Sequence, residues 1–231
     1  MTDDEEELEE RRRIAAILAN HGRHLEIDPE GLLAADDDDS LDEDSDPAIG
    51  GLMKDFAERG LKPTAPIEAT QTIKASASDV WAVISAPGNL TNIHPFCSSN
   101  PVEKWPGIGG LDHVHYYSGV HYQRDVLTWT EGSGYELLVG PPSGKIATAR
   151  WWIKPTSSTS CGFGIEVISY VRSDVDPERR ATYERKMIRE ATPPYLRAVV
   201  SGVAHFTETG DPVKQNQFGS HDIYSPQVAA P

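Results

Sequence analysis

Three things are scarce in this 231-residue sequence, and each scarcity excludes a class of protein. It has only two cysteines, Cys97 and Cys161, so no disulfide framework is possible, although this one pair could still bond; a reducing, cytoplasmic location is expected. Lys and Arg number 21 against 36 Asp and Glu, which argues against nucleic-acid binding. No apolar run is long enough to span a membrane. The acidic start, MTDDEEE, also differs from a secretory signal or a transit peptide.

The negative charge is concentrated at the N-terminus. Residues 1–60 hold 20 acidic and 6 basic residues, a net of −14, while the rest of the chain holds 16 acidic and 15 basic, a net of −1. A helix is predicted over 5–19, and the acidic run 34–46 is too polar to form a core and is predicted to be disordered. The sequence therefore divides into an acidic extension (1–62), a nearly neutral domain (63–208) and an irregular tail (209–231).

A second short helix is predicted in the acidic extension, over residues 47–60. Asp46 would be its N-cap and Gly60 would end it. Its apolar face would contain Leu52, Met53 and Phe56. This face has two possible roles: it could dock a protein partner, or it could pack on the chain's own domain.

The domain alternates between strand and helix patterns. Ile67–Ile73 has the alternation of a strand, a helix capped by Ser76 or Ser78 follows, and 89–96 is predicted as a short helix or turn. Five strands joined by short turns come next, over 110–118, 121–131, 134–140, 144–154 and 160–173. A long helix follows from about Pro177 to Thr207, and Pro193-Pro194 is expected to break or kink it. Short connections favour antiparallel pairing, so we predict an α+β fold with a curved antiparallel sheet gripping a C-terminal helix.

Two motifs resemble the START-like helix-grip superfamily (SRPBCC). They are Ala75-Ser-Ala-Ser-Asp-Val-Trp81 and Trp105-Pro-Gly-Ile-Gly109, and the resemblance covers about residues 66–208. The polyketide cyclase-like and pollen-allergen-like branches are the most similar. The resemblance implies an apolar cavity between the sheet and the C-terminal helix. Members bind lipids, steroids, plant hormones or polyketides, and some catalyse cyclisation or dehydration.

The densest group of polar and aromatic residues lies between Leu111 and Arg124. On a strand, alternate residues share a face, so His113, His115 and Tyr117 should project together. Such residues could fix the polar end of a ligand, or they could be ordinary sheet residues. The candidate ligand-binding residues are His113, His115, Tyr117, Tyr122, Arg124, Trp129, Arg150 and Trp152.

The residues between Leu111 and Arg124 could instead form a metal site, which is a more specific hypothesis than a ligand pocket. His113 and His115 have metal-ligand spacing, and a third ligand would have to come from His121, Cys97 or His94. The Glu expected downstream in a cupin motif is missing, since Gly119 and Val120 stand there. We therefore expect no metal, and no cofactor is expected either.

Three functions are compatible with these patterns. The leading one is binding of a small hydrophobic ligand, of lipid, polyketide or steroid type. The second is an enzyme of the cyclase or dehydratase type that uses His115 and Tyr117 as an acid–base pair. The third is an adaptor whose acidic extension docks a partner through residues 47–60.

Overall fold

A computed structural model describes residues 56–226, and its main feature is a nine-stranded antiparallel sheet. The strands are β1 (Leu61–Pro63), β2 (Ile67–Ile73), β3 (Cys97–Ser99), β4 (Val102–Lys104), β5 (Leu111–Tyr116), β6 (His121–Thr130), β7 (Gly134–Gly140), β8 (Ala147–Ser157) and β9 (Ser160–Arg172). Their order is β1-β9-β8-β7-β6-β5-β3, with β2 also paired to β9 and β4 also paired to β5. The predicted antiparallel sheet is confirmed.

The predictions for 5–19, 34–46 and most of 47–60 lie outside the described residues. The part of that last segment that is described packs on the domain. Phe56 is buried and its ring stacks on Tyr170, with centroids 4.1 Å apart. Gly60 has a positive φ of 67°, and its N–H bonds to the carbonyl of Ala57, as expected of a residue that ends a helical turn.

Two short helices follow β2, as predicted. Helix α1 (Ala77–Ile84) begins with a capping box: the Asp79 N–H donates to the Ser76 hydroxyl, and the Asp79 carboxylate accepts from the Ser76 N–H. Val80, Trp81 and Ile84 form its buried face. Helix α2 (Leu90–Ile93) is a single turn. Both helices contact the last helix; α1 also contacts β8 and β9, and α2 contacts β3.

The C-terminal helix runs from Pro177 to Thr209 without the break that the two prolines were expected to cause. It consists of α3 (Pro177–Tyr183), a π-helical segment (Glu184–Ala191) and α4 (Thr192–Thr209). Pro193 and Pro194 have no N–H, so carbonyls one turn earlier lose their usual donors. The wider π turn accommodates this loss, and the Thr192 hydroxyl donates to the Met187 carbonyl at 3.0 Å.

Helix α4 crosses the concave face of the sheet, and the core lies between them. Its buried positions include Leu196, Val199 and Val203, which belong to one hydrophobic cluster with residues of the sheet. Gly202 allows α4 to pack closely against α2, because a Cβ at this position would overlap the Ile93 carbonyl oxygen. Within residues 56–226, none of the helices has the length and apolar character needed to cross a bilayer.

Candidate functional site

A cavity of about 140 Å³ separates the concave face of the sheet from the C-terminal helix. Its apolar walls come from β5 to β9 on one side and from the π-helical segment and α4 on the other. Representative wall residues are Val114, Leu137, Ala149, Val167, Ile188 and Val199. The cavity therefore lies where the resemblance to the helix-grip superfamily implied.

At one end of the cavity, which we call the polar end, three polar side chains form a hydrogen-bonded chain. The hydroxyl oxygens of Tyr116 and Tyr195 are 2.9 Å apart, and His94 Nε2 is 3.0 Å from the Tyr195 hydroxyl. Tyr116 comes from β5, Tyr195 from the first turn of α4 and His94 from the end of α2. Residues distant in the sequence thus meet at one point.

The hydrogen bonds of His94 determine which nitrogen carries its proton. The Phe96 N–H donates to Nδ1 at 3.1 Å, so Nδ1 is an acceptor and the proton of the neutral ring is on Nε2. Burial lowers the pKa of His94 to about 3, and the positive charge of Arg124 contributes in the same direction. His94 is therefore a neutral donor to Tyr195, and neither nitrogen is available as a general base.

Among the described residues that line the cavity there is one Arg, and its side chain is already paired. Arg124 Nε donates to Asp112 Oδ1 at 2.7 Å and Arg124 Nη2 donates to Oδ2, and the two side chains are 4% and 1% exposed. Burial alone would lower the pKa of Arg124, but the charge and hydrogen bonds of Asp112 outweigh it and raise the pKa. Asn100 donates to the same carboxylate at 3.0 Å. The pair contributes no net charge to the cavity.

Residues 211–226, which we call the C-terminal strap, complete the wall. The strap is anchored by backbone bonds from Val213 to Asn92 and from Asn216 to Pro95. Tyr224 stacks on Tyr116 with ring centroids 4.3 Å apart and lines the cavity. His221 also lines it: Nδ1 accepts from the Ile223 N–H, and Nε2 bonds to the Ala191 carbonyl at 3.0 Å. His221 thus has the same neutral tautomer as His94.

The structure places the eight predicted ligand-binding residues in different environments. Tyr122 and Arg124 line the cavity. His113 and His115 lie on the opposite, outer face of β5, where they alternate with the buried residues of the inner face. Tyr117 follows the end of β5 and is 39% exposed.

The other three candidates also lie away from the cavity lining. Trp129 is in an aromatic cluster beyond the cavity, stacked on Tyr135 with ring centroids 5.3 Å apart. Arg150 is exposed on the outer face, opposite Glu136 and Glu166 of the neighbouring strands. Trp152 is on that same face and donates to Glu68 at 3.0 Å.

The outer-face histidines form a small cluster of their own. His113 Nδ1 is 3.0 Å from His121 Nε2, and His113 Nε2 is 2.6 Å from the Glu103 carboxylate. The rings of His115 and His121 are 4.4 Å apart. Among residues 56–226, no set of three or more His, Cys, Asp or Glu side chains is arranged to hold a metal ion.

Sequence reasoning did not select Tyr116, Tyr195, His221 and Tyr224, which converge in the cavity, and it considered His94 only as a possible metal ligand. The sequence did not indicate this, because a two-residue turn between the strands predicted over 110–118 and 121–131 would place His115 opposite Arg124. The structure instead pairs Asp112 with Arg124, and residues directly opposite each other share a face. That face includes Val114 and Tyr116 and excludes His113 and His115.

Comparisons with solved structures show the same fold. Norcoclaurine synthase from Thalictrum flavum has a TM-score of 0.51 and 16% identity, over 66% of this chain and 90% of that chain. The same enzyme in complex with dopamine and hydroxybenzaldehyde also has a TM-score of 0.51, over 65% of this chain and 90% of that chain at 16% identity. A Staphylococcus aureus protein of unknown function has a TM-score of 0.53 and 11% identity, over 65% of this chain and 96% of that chain.

No protein-family model matches the chain, and neither does any curated protein. At these identities the structural likeness is one of fold. The predicted helix-grip fold is confirmed, including the curved antiparallel sheet and the long C-terminal helix.

Proposed function

We propose that the protein binds a small hydrophobic molecule in the cavity between the sheet and α4. The observation that carries the proposal is the composition of the wall, which is largely aliphatic and aromatic and contains a hydrogen-bonded group of polar side chains. Sites for small molecules have this character, because apolar area provides affinity and a few polar groups fix orientation. Norcoclaurine synthase, which has the same fold, was solved with dopamine and hydroxybenzaldehyde, two small aromatic molecules.

Support for binding rather than catalysis comes from the donor pattern at the polar end. The enzyme hypothesis assigned the acid–base pair to His115 and Tyr117, which lie outside the cavity lining. His94 has its Nδ1 occupied by the Phe96 N–H and its Nε2 proton directed to Tyr195. An imidazole held in this way positions a hydroxyl group and has no lone pair to accept a substrate proton.

A cytoplasmic location is part of the proposal, because Cys97 and Cys161 are both free and buried. The adaptor hypothesis receives less support. Phe56, the one described residue of the predicted apolar face, is buried against Tyr170 and is not available to a partner.

The proposal is tested with fluorobenzene, a neutral apolar probe, followed by fluorine NMR. Ala149 lines the cavity, so Ala149→Leu should fill it and abolish binding. Ala181 is exposed on α3, so Ala181→Leu adds the same atoms elsewhere and should leave binding unchanged. Equal affinity in both variants, or no binding by the wild type, would contradict a ligand site in this cavity.

A further inference from the structure

The polar end of the cavity contains an unbalanced set of hydrogen-bond donors. Tyr195 accepts a bond from His94 Nε2, and one further bond joins the hydroxyl groups of Tyr195 and Tyr116. Two hydroxyl groups carry two protons, and the bond between them uses one. Whichever way that bond points, one hydroxyl proton of the pair remains for a third partner. A buried donor is costly when it is left without an acceptor.

The side of the cavity that faces this pair is electrically neutral. Arg124 is cancelled by Asp112, which it contacts through two nitrogens. His94 and His221 each accept a backbone N–H at Nδ1, which an imidazolium could not do. A ligand carboxylate or ammonium group would therefore lose its hydration without gaining a counter-ion, and burial of an unpaired charge is strongly unfavourable.

The size and surface of the cavity limit the apolar part of the ligand. At about 140 Å³, it is close to the roughly 150 Å³ of an engineered protein cavity that takes up benzene. A steroid or a long acyl chain exceeds that volume. Aromatic rings favour offset and edge-to-face contacts with other planar rings. The Tyr and Trp side chains that line the cavity are Tyr116, Tyr122, Trp151, Tyr170, Tyr183, Tyr195 and Tyr224.

On the basis of the proposed function, we infer that the ligand is a small, uncharged aromatic molecule with an acceptor oxygen, best a carbonyl, that the Tyr116 and Tyr195 hydroxyl groups bind. The ring occupies the apolar part of the cavity, between the sheet and the π-helical segment. His94 does not contact the ligand oxygen in this arrangement; it positions the Tyr195 hydroxyl.

Four aromatic probes of similar size test separately whether the ligand needs an acceptor oxygen and whether it must be uncharged. They are para-fluoroacetophenone, which is neutral with an acceptor; para-fluoroethylbenzene, which is neutral without one; para-fluorobenzoate; and para-fluorobenzylammonium. Dissociation constants for the full chain are measured by fluorine NMR. We expect the ketone to bind about tenfold more tightly than the hydrocarbon, and about a hundredfold more tightly than either ion. Tighter binding of an ion, or equal binding of ketone and hydrocarbon, would overturn the inference.

Variants test whether the tyrosine pair is responsible. The double change Tyr116→Phe and Tyr195→Phe should bring the ratio of ketone to hydrocarbon affinity close to one while leaving hydrocarbon affinity within about twofold. The matched control is Tyr135→Phe, which removes another buried hydroxyl, bonded to the Ile84 carbonyl and outside the cavity lining. It should retain the wild-type ratio. An unchanged ratio in the double variant would refute the assigned role.

The two proposals fail in different ways. If fluorobenzene binds and Ala149→Leu abolishes that binding, the cavity is a ligand site whichever of the four probes is preferred. The assigned ligand class would then be wrong if an ionic probe binds most tightly, or if the ketone and the hydrocarbon bind equally. If fluorobenzene and all four probes fail to bind, both proposals are wrong.

Discussion

Asp112 and Arg124 are directly opposite each other on β5 and β6, and their buried side chains form a two-point ion pair. Both side chains are buried, so water cannot solvate either charge if its partner is removed. Loss of one member should therefore destabilise the fold.

We predict that Asp112→Asn lowers the free energy of unfolding by about 3–5 kcal/mol, because it leaves the Arg124 guanidinium buried without its counter-charge. Chemical denaturation measures the change. The double variant Asp112→Leu with Arg124→Met should recover most of the loss. A single variant within about 1 kcal/mol of the wild type would show that the pair is unimportant for stability.

His94 should make stability depend on pH. The unfolded chain protonates this residue below about pH 6.5, whereas the folded protein does so only near pH 3, because burial opposes the charge. Between these values the unfolded state binds the extra proton, so the free energy of unfolding falls as pH falls, by up to about 1.4 kcal/mol per pH unit. Denaturation at several pH values should show a shallower decline in His94→Gln. Parallel pH profiles would contradict this assignment.

Gly202 is predicted to tolerate no side chain. A Cβ at this position would overlap the Ile93 carbonyl oxygen and push α4 away from α2, so Gly202→Ala should destabilise the protein by about 1–3 kcal/mol or more. Gly162→Ala is the matched control, since the nearest atom to a Cβ there is at an ordinary 3.8 Å. Comparable melting temperatures for the two variants would show that the contact is not rigid.

The C-terminal strap should control how fast a ligand leaves. Tyr224→Ala removes the ring that stacks on Tyr116, so we expect fluorobenzene to dissociate at least about tenfold faster in NMR exchange measurements. Phe218 belongs to the same strap but is 38% exposed, and Phe218→Ala should leave the rate unchanged. Similar rates in all three proteins would mean that the ligand uses another route.

The outer-face histidines should not affect binding in the cavity. His115→Ala and His121→Ala change residues on the far side of the sheet, so the affinity for fluorobenzene should stay within about twofold of the wild type. A tenfold or greater loss of affinity would indicate that the ligand binds on the outer face of the sheet, as the sequence first suggested.

Local rules predicted most of the fold correctly. Alternation located Ile67–Ile73 as β2, and Ser76 is one of the two caps that the sequence predicted for α1. The three-residue strands β1, β3 and β4 were missed, because three residues are too few to show the alternation of apolar and polar residues that identifies a strand. Pro193-Pro194 were expected to break or kink the helix; the helix instead continues and changes from π to α between Ala191 and Thr192, because a wider helical turn can accommodate missing donors.

The site was harder to predict because its residues are brought together only by tertiary packing. His94 and Tyr195 are separated by 101 positions, and the bond between them depends on where α4 crosses the sheet. Which face of β5 lines the cavity depends on strand register, and a change of one residue exchanges His113 and His115 for Val114 and Tyr116. The two-residue turn expected at 119–120 gave the wrong register, because in the structure residues 117–120 connect β5 to β6.

The position of the strap in the chain has a consequence for the order of assembly. Among the described residues that line the cavity, all except His221, Ile223 and Tyr224 precede residue 211. The strap bonds to Asn92 and Pro95 and stacks on Tyr116, so its docking surface exists only once α2 and β5 have packed together. The strap is therefore the last wall of the cavity to be put in place.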